Sequence, residues 1–140
     1  MPQTAITKEK TMPTYNKEAD VKKAVKKLLD KHKWFWWMPP ANGFGRTGIS
    51  DFNAIRGGVF LAVETKFGNN KPTAMQLGFL NSVAAEDCFA FVVNENRVEL
   101  FQAWLEAFDR ATEAMGKGQK PSPEDGAAML DAIREMTLEL

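Results

Sequence analysis

Five apolar residues in a row, Val59-Phe60-Leu61-Ala62-Val63, lie between Gly57-Gly58 and Gly68 and run straight into Glu64-Thr65-Lys66. A short apolar run bounded by turn residues is the pattern of a buried central strand. The segment before it, 49–55, is joined to it by Arg56-Gly57-Gly58, a short turn. Together they predict an antiparallel hairpin of strands 49–55 and 59–67. Charge at the end of a buried strand costs free energy unless it is paired or bound to a metal ion. The hairpin thus fixes two things at once: a sheet, and a place at one end of it where charge needs a reason.

The remaining chain surrounds this hairpin with helices. Val21, Val25, Leu28 and Leu29 form one face of a helix predicted over 15–33, and lysines 22, 23, 26, 27 and 31 cover the rest. Trp34-Phe35-Trp36-Trp37-Met38 reads as a strand stopped by Pro39-Pro40, and 41–48 as a glycine-rich loop. Thr73 is a candidate cap for a helix over 74–86. Residues 88–93 and 97–101 read as two strands about a turn at 94–96, and a helix follows over 102–115. Residues 116–126 form a linker. Ser122 with Pro123, Glu124 and Asp125 opens a last amphipathic helix carrying Met129, Leu130, Ile133 and Met136. The expected fold is α/β: a mixed central sheet flanked by helices, with an extra C-terminal helix. The expected organisation is a flexible segment 1–13, a core domain 14–115, and a linker with a helix at 116–140.

Composition narrows the function classes. The 140 residues suffice for one domain with a real core. No apolar run approaches the roughly 20 residues of a membrane span, and residues 1–13 lack an apolar secretory segment. A cytoplasmic protein with no membrane partner is the expectation. One cysteine, Cys88, excludes an internal disulfide and a cysteine-rich zinc site, and one histidine, His32, argues against a His-based triad. The net charge of zero conceals an asymmetry. Residues 1–80 carry 13 Lys/Arg against 6 Asp/Glu, and residues 81–140 carry 5 against 12. A basic half permits a polyanion partner.

Side chains alternate along a strand. Phe60, Ala62, Glu64 and Lys66 therefore share a face, with Glu64 and Lys66 roughly 6–7 Å apart. Asp51, Asn53 and Ile55 share a face of the preceding strand, and a turn at 56–58 sets Asp51 about opposite Glu64. Two carboxylates this close repel each other unless a cation lies between them. A hard divalent cation, Mg²⁺ or Mn²⁺, meets that need with oxygen ligands. An ion so held polarises a phosphoryl oxygen and acidifies a bound water, and Lys66 is placed to orient that water or to stabilise developing charge. The plain alternative is an acid and a Glu-Lys pair on an exposed sheet edge.

Gly48-Ile49-Ser50-Asp51, then Glu64-Thr65-Lys66, then Gln76 at the start of a helix, resembles the PD-(D/E)XK nuclease superfamily, and within it the VRR-NUC and Holliday-junction-resolvase-like branch common in phages. The resemblance covers residues 15 to about 110 and implies the restriction-endonuclease-like αβββαβ core. Asp51 corresponds to the metal-binding aspartate, preceded here by Ser50 where the family often has proline. Glu64 corresponds to the second ligand and the Thr65 carbonyl to a third. Lys66 corresponds to the catalytic lysine, Gln76 to a glutamine that supports the site, and Glu18 to an acid of the first helix that adds a ligand through water. Glu18 lies within about 20° of Val25 and Leu29 on a helical wheel, so it falls on the inward side; as a helix N-terminal acid it also complements the dipole. The implied activity is a Mg²⁺- or Mn²⁺-dependent DNA endonuclease acting on branched or junction DNA, and a junction resolvase implies a homodimer. A non-catalytic nucleic-acid-binding module on the same fold is the alternative, and a purely structural charge cluster is a third.

Arg46, in the loop 43–48, and Lys71, after the second strand, are candidate contacts to DNA phosphate, which give affinity without sequence readout. That loop lacks the Lys-Ser/Thr of a P-loop. The tryptophans at 34, 36 and 37 suit either base stacking or packing between the first helix and the sheet. Cys88 reads as a small core residue.

Overall fold

The computed structural model describes residues 14–40 and 48–114. Arg46, the segment 1–13, and the linker with its expected C-terminal helix lie outside them. The element order is α1 (Glu18–Lys31), β1 (Phe35–Trp37), β2 (Phe52–Arg56), β3 (Val59–Thr65), α2 (Ala74–Ala85), β4 (Phe89–Val93) and α3 (Val98–Ala114). The expected α/β class holds. The four strands form one mixed sheet in the order β1-β2-β3-β4, antiparallel except for the parallel pair β3 and β4. A parallel pair needs a crossover, and α2 supplies it.

The hairpin register pairs Phe52 with Val63, Ala54 with Leu61 and Arg56 with Val59. Alternation then sorts the sheet. Phe52, Ala54, Leu61, Val63, Phe89, Phe91 and Val93 face α1 and α3 and form the core with Val21, Val25, Leu29, Phe101, Trp104 and Leu105. The opposite face carries Asn53, Ala62 and Glu64, and α2 covers only its β3–β4 side. Trp34 belongs to the core, and Trp36 packs edge-on against Phe52 and donates its indole N–H to Asp30. Phe35 and Trp37 point the other way and are exposed.

The strand expected over 97–101 is instead the first turn of α3. Val98, Phe101, Trp104, Leu105 and Phe108 are all buried at helical spacing, and that longer period outweighs the brief alternation of Val98 and Leu100. The chain turns at Asn94–Arg97, where the Asn94 carbonyl accepts from the Arg97 N–H and Arg97 passes its own carbonyl to Phe101. Cys88 also departs from expectation. It sits half-buried ahead of β4, beside the Glu86 carbonyl, and not in the core.

At the hairpin-turn end of the sheet, one charged cluster ties three elements together. Asp109 of α3 accepts from Arg56 of β2 and from the His32 ring, whose Nδ1 lies 2.5 Å away, and Arg56 also donates to the His32 carbonyl at 2.9 Å. Burial works to raise the Asp109 pKa, but the Arg56 and His32 hydrogen bonds outweigh it and hold it below the ordinary value. Asp109→Asn is expected to lower the unfolding free energy by about 1–2 kcal/mol, allowing for the partial exposure of the pair. A depressed folded pKa contributes stability above the unfolded-state pKa and loses it as pH falls through the folded value. The gap between parent and variant in urea unfolding therefore closes in acid and stays open at neutral pH.

Candidate active site

The site forms at the other end of the hairpin, where β3 ends and the chain leads into β2. Ser50 fixes that lead-in. Its buried hydroxyl donates to the Phe52 carbonyl and to the Asn53 side chain, which in turn donates to the Ser50 carbonyl. Gly48 has φ +86, and a Cβ there would come within 2.9 Å of Met75 in the first turn of α2. Only glycine meets both conditions, and it lets the start of α2 close on the hairpin end.

Asp51 is held by Thr65. The Thr65 N–H donates to Asp51 Oδ2 at 3.0 Å and the Thr65 hydroxyl donates to the same oxygen at 2.6 Å. Asp51 Oδ1 lies 3.9 Å from the Lys22 ammonium. Glu64 is 1 % exposed. Its Oε1 accepts from Gln76 Nε2 at 3.0 Å and lies 3.8 Å from Lys66 Nζ. Its Oε2 is buried with no hydrogen-bond partner. A buried carboxylate oxygen without a donor is costly, so this atom asks for a proton or a cation.

Gln76 has two tasks. It completes the capping box of α2, accepting from the Thr73 N–H at 2.9 Å through Oε1 while Thr73 caps the Gln76 N–H. That fixes its amide so that Nε2 faces Glu64. A residue chosen for helix initiation thereby orients the acid.

Burial is the largest cause that drives the Glu64 pKa up to about 8, and the charge and side-chain hydrogen bonding of Asp51 push the same way, while Lys66 and the Asp51 backbone oppose. The two acids thus lie near enough at the sheet end to influence each other's charge, Asp51 held by Thr65 and Lys22 and Glu64 by Gln76 of α2. Without a cation between them, the pair is relieved by keeping a proton on Glu64 near neutral pH.

The hairpin brings Asp51, Glu64, Thr65 and Lys66 together, and α2 adds Gln76. Glu18 is not brought in as a third acid. Among the described residues, no three His, Cys, Asp or Glu side chains gather into a metal-binding group. Glu18 is half-exposed and pairs with Lys22 at 3.2 Å. Lys22 stands one turn along α1, about 40° from Glu18 on the helical wheel, and links it to Asp51. Lys22 thus turns toward the site and not outward with the other lysines, and its contact with Asp51, distant in sequence, is what sets it apart. What is seen of Thr65 is its N–H and hydroxyl on Asp51. Lys71 is exposed on the β3–α2 connection.

Two carboxylates, one of them with an unsatisfied buried oxygen, suit a small hard cation that keeps several waters. The donor set does not suit zinc, since the cysteine is distant in sequence and the histidine sits in the cluster at the far end of the hairpin. Comparison with protein families gives no match, and comparison with curated proteins gives none either.

Proposed function

We propose that this chain is a metal-dependent nuclease that hydrolyses phosphodiester bonds in DNA, with Asp51 and Glu64 holding Mg²⁺ or Mn²⁺. The observation that carries the reading is the buried, partnerless Oε2 of Glu64, on an acid whose charge Asp51 disfavours and whose other oxygen lies 3.8 Å from Lys66. Structural ion pairs satisfy their oxygens; this one does not. When bound, such an ion polarises a phosphoryl oxygen and lowers the pKa of a coordinated water.

The chain's own residues have separable tasks. Thr65 holds Asp51 by two hydrogen bonds to one oxygen, and the other, Oδ1, lies 3.9 Å from the Lys22 ammonium. Gln76 fixes Glu64 Oε1. Lys66, mostly buried at the side chain, brings an ammonium to the edge of the pair, where it orients an attacking water or stabilises the phosphorane-like charge. Lys22 adds a second cation on the Asp51 side. Lys71 is assigned to phosphate contact. Preference for branched or junction DNA, and action as a homodimer, follow the resemblance to junction resolvases and belong to the same proposal.

The test is cleavage of linear, nicked and four-way-junction DNA with Mg²⁺, with Mn²⁺ and with chelator. Lys66→Ala is expected to lower the metal-dependent rate by about 10²–10⁴-fold, the usual range for a positioned proton-transfer or charge-stabilising group, while DNA binding in a gel-shift assay persists. Binding without cleavage in any metal by the parent chain rejects the nuclease and leaves the binding module.

A further inference from the structure

Asp51 presents its two oxygens unequally. Thr65 donates twice to Oδ2, from its N–H at 3.0 Å and from its hydroxyl at 2.6 Å, and fixes that oxygen with neutral donors. Oδ1 faces the Lys22 ammonium at 3.9 Å, near enough for charge attraction and too far for a hydrogen bond. A cation bound through Oδ1 therefore meets Lys22 as a like charge a few ångströms away.

Lys22 has a second partner. Its ammonium lies 3.2 Å from Glu18 Oε2, one turn back on α1. Glutamate placed four residues before lysine is the favourable order for such a pair on a helix. Two carboxylates, Glu18 and Asp51, thus share one ammonium, and Glu18 is the nearer. The lysine stem is flexible and partly exposed, so passing from one carboxylate to the other needs only rotation about its own bonds. Lys66 differs in both respects. It is mostly buried, and among the described residues its ion pair is with Glu64 alone, at the oxygen that Gln76 already holds.

We propose that Lys22 is a placeholder cation on Asp51, displaced when a divalent ion binds and then held wholly by Glu18, so that the Glu18–Lys22 pair sets how tightly the site takes up its metal. The proposal rests on the reading that Asp51 is a ligand to such an ion. Before the ion binds, the ammonium balances the Asp51 charge. Once it binds, Glu18 keeps the ammonium paired and draws it off the like charge. Glu18 then acts on the metal through Lys22 and not as a ligand of its own.

Calorimetry with Mn²⁺ on single and double variants tests it, each variant being checked for native circular dichroism first. Lys22→Met keeps the apolar stem, removes the charge, and is expected to bind Mn²⁺ about three- to tenfold more tightly than the parent, the scale of a partly exposed ion pair raised for a doubly charged ion. Glu18→Gln leaves Lys22 to Asp51 alone and is expected to weaken binding by about two- to fivefold. In the Lys22→Met background, Glu18→Gln is expected to change nothing, because its effect runs through the ammonium. Lys23→Met, at an exposed neighbour, is expected to leave the affinity at the parent value. Binding by Lys22→Met no tighter than by the parent overturns the proposal. So does equal tightening by Lys23→Met, which assigns the effect to diffuse charge. A Glu18→Gln loss that persists without Lys22 also overturns it and makes Glu18 a ligand through water. All three outcomes leave the ion on Asp51, whereas a parent that binds no Mn²⁺ defeats that reading and the proposal with it.

Discussion

Replacing Glu64 by Gln is expected to make the metal-free protein more stable above neutral pH, not less. With its pKa raised from 4.5 to about 8, Glu64 keeps its proton in the folded state across a range where the unfolded chain has lost it. The sign follows from linkage. Below the unfolded-state value both states are protonated and the group has no effect on pH dependence. Between the two values folding must take up a proton, so stability falls with each step in pH. Above the folded value both states are ionised and the penalty is complete, of the order of 5 kcal/mol at about 1.36 kcal/mol per pH unit. Gln keeps the shape and accepts from Gln76 without charge, so the variant escapes the decline. Thermal unfolding in chelator from mildly acidic to mildly alkaline pH reads the difference directly. A parent chain whose melting temperature is flat over that range, and unchanged by Glu64→Gln, contradicts the picture of an uncompensated buried acid.

The second large effect is structural. Trp104→Ala is expected to destabilise the fold by about 3–5 kcal/mol, the range for truncating a large buried aromatic. Trp104 is fully buried, and the rings of Phe89 and Phe91 sit 5.0 and 4.9 Å from it, with Trp34 and Phe108 at 6.0 and 5.6 Å. It joins α3 to β4 and to the residue that leads into β1. Against a typical total of 5–15 kcal/mol, this loss leaves little or no folded population at moderate temperature. Urea unfolding followed by far-UV circular dichroism checks it. A loss under about 1 kcal/mol would mean that the core does not close around this ring.

The hairpin was legible in the sequence because every local signal agreed: the apolar run, the glycines at the turn, and alternation carried through to Glu64. The register then followed from the turn position, which brings Asp51 to the end of β3, where Thr65 holds its carboxyl. Residues 97–101 failed because Arg-Val-Glu-Leu-Phe is compatible with either period over five residues. Only Trp104, Leu105 and Phe108, beyond that window, decide for a helix. Lys22 failed for a related reason. A lysine among lysines looks solvated, and nothing local distinguishes the one whose partner, Asp51, is distant in sequence. Gln76 was legible as a candidate through the family resemblance, but its double use as cap and as support for Glu64 needs the tertiary contact. The exposure of Phe35 and Trp37 was equally hidden, since an aromatic strand written Phe-Trp-Trp does not say which of its faces has a partner.

The central claim is that Asp51 and Glu64 share one divalent cation. Calorimetric titration of the full chain with Mn²⁺ at mildly alkaline pH tests it without reference to any substrate. One binding event is predicted for the parent, lost in both Asp51→Asn and Glu64→Gln and retained in Lys71→Ala. No Mn²⁺ binding by the parent, or binding that either carboxylate variant leaves intact, contradicts it.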